Sequence, residues 1–199
     1  MKIIVLLTLL CVTVTLSAQR YGYSFSLHSG TSFSQVYGIP PTEANQRREV
    51  TDIFGNLCLG FDSKFIYEPD PLSIILFTVN AGGFTHSTHL IEEGRIANIR
   101  YSTLLLGPGI ILRVLPQLEV AGSVGVSFIM NSNATKKQTE DLGYNTNASI
   151  SYVFNHRQQQ NLSVGIAFHQ TYTQYIDLSE QYMRMGSVFF QYRFIKRGL

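Results

Sequence analysis

The chain has 199 residues, is 45% hydrophobic and only 14% charged, and carries a formal net charge of +2. A soluble exported domain would have about 25% of its residues charged, so apolar surface must be placed where water does not penalise it. The near-neutral charge excludes a strongly basic nucleic-acid surface, and two cysteines, Cys11 and Cys58, exclude a disulfide framework once the leader is removed.

The first 18 residues read as a secretory signal peptide. Lys2 supplies the positive end, Ile3 to Leu10 the apolar stretch, and Ser17-Ala18-Gln19 a small-residue cleavage site with the cut after Ala18. A membrane helix needs about 20 mostly apolar residues, and this stretch is shorter. A lipoprotein anchor needs a small residue before the cysteine, and Leu10 stands there. The predicted domains are thus 1–18, signal peptide, and 19–199, one mature domain holding Cys58 alone. Removing Lys2 leaves 14 basic residues against 13 acidic ones.

The mature chain alternates with period two, and successive strand side chains point to opposite faces. The first segment sets Tyr21, Tyr23, Phe25 and Leu27 against Gly22, Ser24, Ser26 and His28. The second sets Ile53, Leu57, Leu59, Phe61 and Phe65 against Asp52, Asn56, Cys58, Asp62 and Lys64. The third covers Leu72 to Phe84, with Ile75, Phe77, Val79 and Ala81 as its apolar face. The fourth runs from Ile99 to Val114, where Pro108 predicts a bulge or an irregular edge. The fifth aligns Leu118, Val120, Val124, Val126, Phe128 and Met130, and the sixth Tyr144, Ala148, Ile150, Tyr152 and Phe154. The seventh aligns Leu162, Val164, Ile166, Phe168 and Tyr172, and the eighth Val188, Phe190, Tyr192 and Phe194.

Connections alternate as well. Ser34–Val50, Thr85–Asn98, Asn131–Leu142 and Thr173–Gln181 read as long loops, and Glu68–Pro71, Leu115–Gln117 and Asn155–Asn161 as shorter turns. Membrane barrels have short periplasmic turns and long outer loops. The expected fold is all-β, an eight-stranded antiparallel up-and-down transmembrane β-barrel with its N-terminus in the periplasm. The opposite faces are rich in glycine, serine, alanine and asparagine, as a narrow lumen requires. Aromatics gather near strand ends, Tyr21, Tyr23, Phe65, Tyr67, Tyr101, Tyr144, Tyr152, Phe154, Tyr172, Tyr182 and Tyr192 among them, as in two interfacial girdles.

Alternation points Asp62, Lys64, Arg113, Glu119 and Arg193 into the lumen at similar depth. Buried charges must pair, so these five are expected to form an ionic network that plugs the periplasmic half. A charged constriction selecting ions is the functional alternative. His86 and His89, beside Ser87 and Thr88, fall on an outer loop, and His169 shares a face with Thr171. They could serve a lipid A hydrolase with Glu92 or Glu93, but their spacing shows no converging nucleophile and base. His-x-x-His gives only two metal ligands. Arg47, Arg48, Arg95, Lys136 and Lys137 stand on the predicted outer loops beside Glu43, Glu49, Glu92 and Glu140, where they could meet lipopolysaccharide or simply form a solvated surface of mixed charge.

Phe190-Gln191-Tyr192-Arg193-Phe194 is similar to the terminal aromatic signature that outer-membrane barrels present to their assembly machinery, with Ile195 to Leu199 following it. Tyr101-Ser102-Thr103-Leu104-Leu105-Leu106 is similar to the tyrosine and Pro-Leu-Leu-Leu run of PorT-like proteins, without the proline. Taken whole, the mature chain resembles the OmpA/OmpX-like and PorT-like outer-membrane β-barrels of Gram-negative envelopes. The resemblance implies an integral outer-membrane protein without cofactor, its partners being membrane lipid, lipopolysaccharide and the barrel-assembly machinery. It leaves any protein partner unknown, and the near-neutral charge leads us to expect no nucleic-acid partner. A structural or surface-interaction role, without enzymatic chemistry, is the expectation; a narrow pore or conduit for small solutes is the alternative, and a lipid A-modifying hydrolase the third reading.

Overall fold

Alternating segments this short cannot each bury an apolar face alone, and backbone groups in lipid must all be hydrogen-bonded. Closing the sheet on itself meets both demands. The computed structural model describes residues 20–37, 56–70, 73–92, 95–133, 136–155, 159–174 and 180–196. Eight strands form in chain order: β1 (Arg20–Tyr37), β2 (Asn56–Glu68), β3 (Ile75–Glu92), β4 (Arg95–Leu115), β5 (Leu118–Asn133), β6 (Lys136–Phe154), β7 (Gln160–Gln174) and β8 (Glu180–Lys196). Each pairs with its sequence neighbours, and β1 pairs antiparallel with β8 to close the barrel.

The alternation sorts the side chains as the pattern requires. Along β1, Tyr21, Tyr23, Phe25 and Leu27 are exposed while Gly22, Ser24, Ser26 and His28 are buried. Two adjacent phenylalanines show the sorting most sharply: Phe190 is 70% exposed and Phe189 only 2%. On β6 the exposed run from Tyr144 to Phe154, at about 3.3 Å per residue and a tilt of ~40°, rises about 25 Å, the height of a membrane apolar band. Tyr21, Tyr23, Phe65, Tyr67 and Phe77 form a ladder of ring contacts at the end where β1 begins and β8 ends, the termini end of the barrel. At the other end the exposed hydroxyls of Thr85 and Ser102 stand 3.4 Å apart. The molecule is therefore a closed antiparallel barrel with a lipid-compatible exterior.

Several expectations change. The predicted loops Thr85–Asn98 and Asn131–Leu142 are mostly strand: β3 and β4 stay paired up to Glu92↔Arg95, and β5 and β6 up to Asn133↔Lys136. Ladder hydrogen bonds join backbone groups whatever the side chains, so the pairing continues after the alternation has gone. Pro108 causes no bulge. Pairs on either side of it, Leu106↔Val126 and Gly109↔Ser123, keep one register, and the register shifts lie at Arg113/Leu115 and Asn131/Asn133 instead. The lost N–H of Pro108 falls at the interruption in the β4–β5 ladder. Asp52, Ile53 and Leu72, assigned to the second and third segments, lie outside the described residues.

The turns at the termini end are tight. In the β2–β3 turn Ser73 N donates to Asp70 O and Asp70 N to Ser73 Oγ, at 2.8 and 3.2 Å. Pro116–Gln117 joins β4 to β5. Asn155, with φ 55°, opens the β6–β7 turn in the left-handed region that asparagine tolerates.

Candidate functional site: the filled lumen

Inward positions at the termini end carry charge, and their side chains meet. Arg193 of β8 donates two bonds to Glu119 of β5, Nη1 to Oε1 at 2.8 Å and Nη2 to Oε2 at 2.6 Å. Both residues are almost wholly buried, so this is a desolvated bidentate pair, the strongest geometry a guanidinium offers a carboxylate. Arg113 of β4, three-quarters buried, joins from the side: its Nε lies 3.5 Å from Glu119 Oε1, and its Nη1 bonds Glu68 of β2. Gln191 extends the group, accepting from Arg193 and from Ser163 and donating to Ser24.

The remaining two predicted residues stand apart from these three. Lys64 Nζ lies 3.4 Å from Asp62 Oδ2, and His28 Nε2 lies 3.5 Å from Asp62 Oδ1. Asp62 and Glu68 stand six positions apart on β2, about 20 Å of strand. The five residues therefore divide into two groups at different depths rather than one level, because the strands are staggered around the barrel. Glu68 and His28 complete these groups. Both were legible in principle: Glu68 keeps the parity of Asp62 and Lys64 past Phe65, where the alternating segment was ended.

Above the charges, toward the long hairpins, the lumen turns apolar. Phe84, Met185 and Cys58 pack together with Leu105 against them. Gly60 makes this possible, since a Cβ there would come within 2.1 Å of the Phe84 ring. At the termini end Ile66, Leu76 and Ile111 form a second buried cluster. These large inward side chains depart from the small polar lumen read from the alternation. An inward Phe84 or Phe189 cannot be told by residue type from an outward one.

A serine–histidine–aspartate chain also appears: Ser187 Oγ lies 3.1 Å from His28 Nδ1, and His28 reaches Asp62. Nucleophilic chemistry needs space for a reacting atom about 3 Å from the hydroxyl. Ser187 and His28 are both buried, the His28 ring packed against Phe84, His169 and Phe189. His169 and Thr171 also face the lumen, buried, and not an outer rim. His86 and His89 lie on β3, at the register positions of Tyr101 and Asn98, and not on a loop. Glu92, Arg95, Lys136, Lys137 and Glu140 likewise lie on strands, while Arg47, Arg48, Glu43, Glu49 and Glu93 fall outside the described residues. Among the described residues no group of three His, Cys, Asp or Glu is placed to hold a metal ion. Phe190, Tyr192 and Phe194 all point outward on β8, the strand that closes the barrel.

No protein-family model matches the chain, and no curated protein matches it. Among solved structures it is similar to Ail, the attachment invasion locus protein of Yersinia pestis, at 14% identity and a TM-score of 0.47, over 87% of this chain and 99% of that one. It is similar to Neisserial surface protein A at 8% identity and a TM-score of 0.49, over 88% and 96% of the two chains. It is also similar to the N-terminal β-barrel domain of Pseudomonas aeruginosa OprF at 11% identity and a TM-score of 0.39, over 84% and 96%.

Proposed function

We propose that the chain is an integral outer-membrane barrel of a Gram-negative envelope, exported on a signal peptide cut after Ala18. Its role is structural or surface-interacting, and it carries out no catalysis. The observation that supports this reading is the inversion of the barrel. Exposed apolar and aromatic side chains surround a lumen crossed by the Arg193–Glu119 pair and by Phe84 and Met185. A soluble barrel would carry that polarity the other way round. A lumen bridged at two levels has no use as a solute path, which leaves contact with the outside to the long hairpins. Membrane lipid and lipopolysaccharide are the partners this assigns, with the barrel-assembly machinery recognising the outward Phe190, Tyr192 and Phe194. No cofactor is assigned.

The test is the chain refolded into lipid, selected by a gel mobility that shifts on boiling, then applied to a planar bilayer. Shifted protein that passes no current is the expected result. Steady current steps from shifted protein would overturn the closed lumen and make the barrel a pore. Protein that never shifts would overturn the membrane barrel itself.

A further inference from the structure

Between the apolar layer and the charged end, the lumen is polar and not fully packed. A cavity of about 20 Å³ is lined by His169, Asn80, Asn145, Asn147, Asp62 and Ser123, among others. A smaller one of about 10 Å³ shares Asn80, Ser123 and Asn147 and reaches Lys64 and Thr78. Into this space point polar atoms without a protein partner. His169 is 4% exposed, and neither of its ring nitrogens is hydrogen-bonded; Asn80 and Asn147 each leave Oδ1 unpaired. Buried groups of this kind are rarely left unsatisfied.

What would satisfy them is constrained. The two carboxamide oxygens need donors. A neutral imidazole offers one acceptor and one N–H, so its partner must both donate and accept. A metal ion leaves the N–H unmet, and an ammonium ion can only donate. Either would also add charge beside Lys64 and Asp62, which already balance one another. Water donates, accepts, is neutral, and needs a cavity of about 10–15 Å³ with two to four polar partners. We propose that the central lumen is a built water site, in which an ordered water bridges His169 to Asn80 and Asn147. Its isolation from bulk solvent rests on the closed-lumen reading above.

The experiment is solid-state NMR on the refolded full chain in lipid, with ¹⁵N-labelled histidine, following magnetisation transfer from water to the His169 ring nitrogens. Transfer from a water held far longer than bulk solvent is expected, as is its loss in Asn147→Leu protein that still shows the gel shift. Absence of transfer in the unmodified chain would mean a dry cavity and overturn the site. Transfer at the rate of freely exchanging solvent would overturn its isolation. Displacement of the water signal by ¹⁵N-ammonium would make it a cation site and overturn the assignment to water. Because the unmodified chain decides these outcomes, a variant that fails to fold does not block the test. Current steps in the bilayer would sink the closed lumen without touching the His169 measurement.

Discussion

At the scale of single residues, the buried charges are the most constrained feature. Arg193 and Glu119 are each desolvated by the barrel and bonded bidentately to one another, with Arg113 Nε also 3.5 Å from Glu119. Removing Arg193 leaves buried Glu119 with only the looser 3.5 Å contact to Arg113, and breaking a buried pair from one side costs about 3–5 kcal/mol. Arg193→Ala should therefore lower the unfolding free energy in urea by about that much. The Arg193→Ala/Glu119→Ala pair should cost clearly less than the two single changes summed, and strict additivity would mean that the pair does not interact. Gly60 poses the opposite problem. A methyl group there enters the Phe84 ring, so Gly60→Ala should cost about 1–3 kcal/mol by overpacking. In a Phe84→Leu background the same change should cost roughly half as much; an equal cost in both would show that the ring is not what Gly60 accommodates. The charges were legible in the sequence because an ion on a small-residue face has only the lumen to enter. Phe84 and Phe189 were not, because an apolar residue suits lipid and lumen alike.

At the scale of elements, the strands were legible wherever lipid and lumen impose different demands on the two faces. Ile75, Phe77, Val79 and Ala81 are all exposed on β3, as their alternation required. Where β3 and β4 run on to Glu92 and Arg95 the alternation of residue types has gone, and nothing in side-chain type marks the ladder. The irregularity expected at Pro108 takes the form of an interruption of the β4–β5 ladder at Gly107 and Pro108, not of a bulge. At the same place the two backbones approach closely. Gly107 and Gly125 face each other across β4 and β5, and a Cβ on either would come within 2.1 or 2.2 Å of a carbonyl oxygen on the other strand. Unlike the Phe84 ring, a backbone carbonyl cannot turn aside. Gly125→Ala should thus destabilise by about 1–3 kcal/mol, and truncating neighbouring side chains should return none of it. Urea unfolding of Gly125→Ala alone and with Leu105→Ala would test this; recovery in the double variant would show that the strain lies in side-chain packing.

At the scale of the whole molecule, the lumen is crossed at two separate levels. The Glu68–Arg113–Glu119–Arg193 group lies near the chain termini, and the Cys58–Phe84–Met185 layer lies toward the hairpins. Cys58 and Glu68 stand ten positions apart on β2, about 33 Å along a strand, so neither level leans on the other. Two obstacles in series make a specific prediction about conduction. Removing the charges with Glu119→Ala and Arg193→Ala leaves the apolar layer intact, and such a layer excludes ions by keeping water out. Removing the ring with Phe84→Ala leaves the ion pairs in place. Each variant by itself should stay electrically silent in a planar bilayer, provided its gel mobility still shifts on boiling. The triple variant should pass small, steady current steps, because the polar middle between the layers already suits water. Current from the charge-deleted variant alone would show that the apolar layer is no barrier. Silence from the folded triple variant would place the decisive closure elsewhere in the lumen.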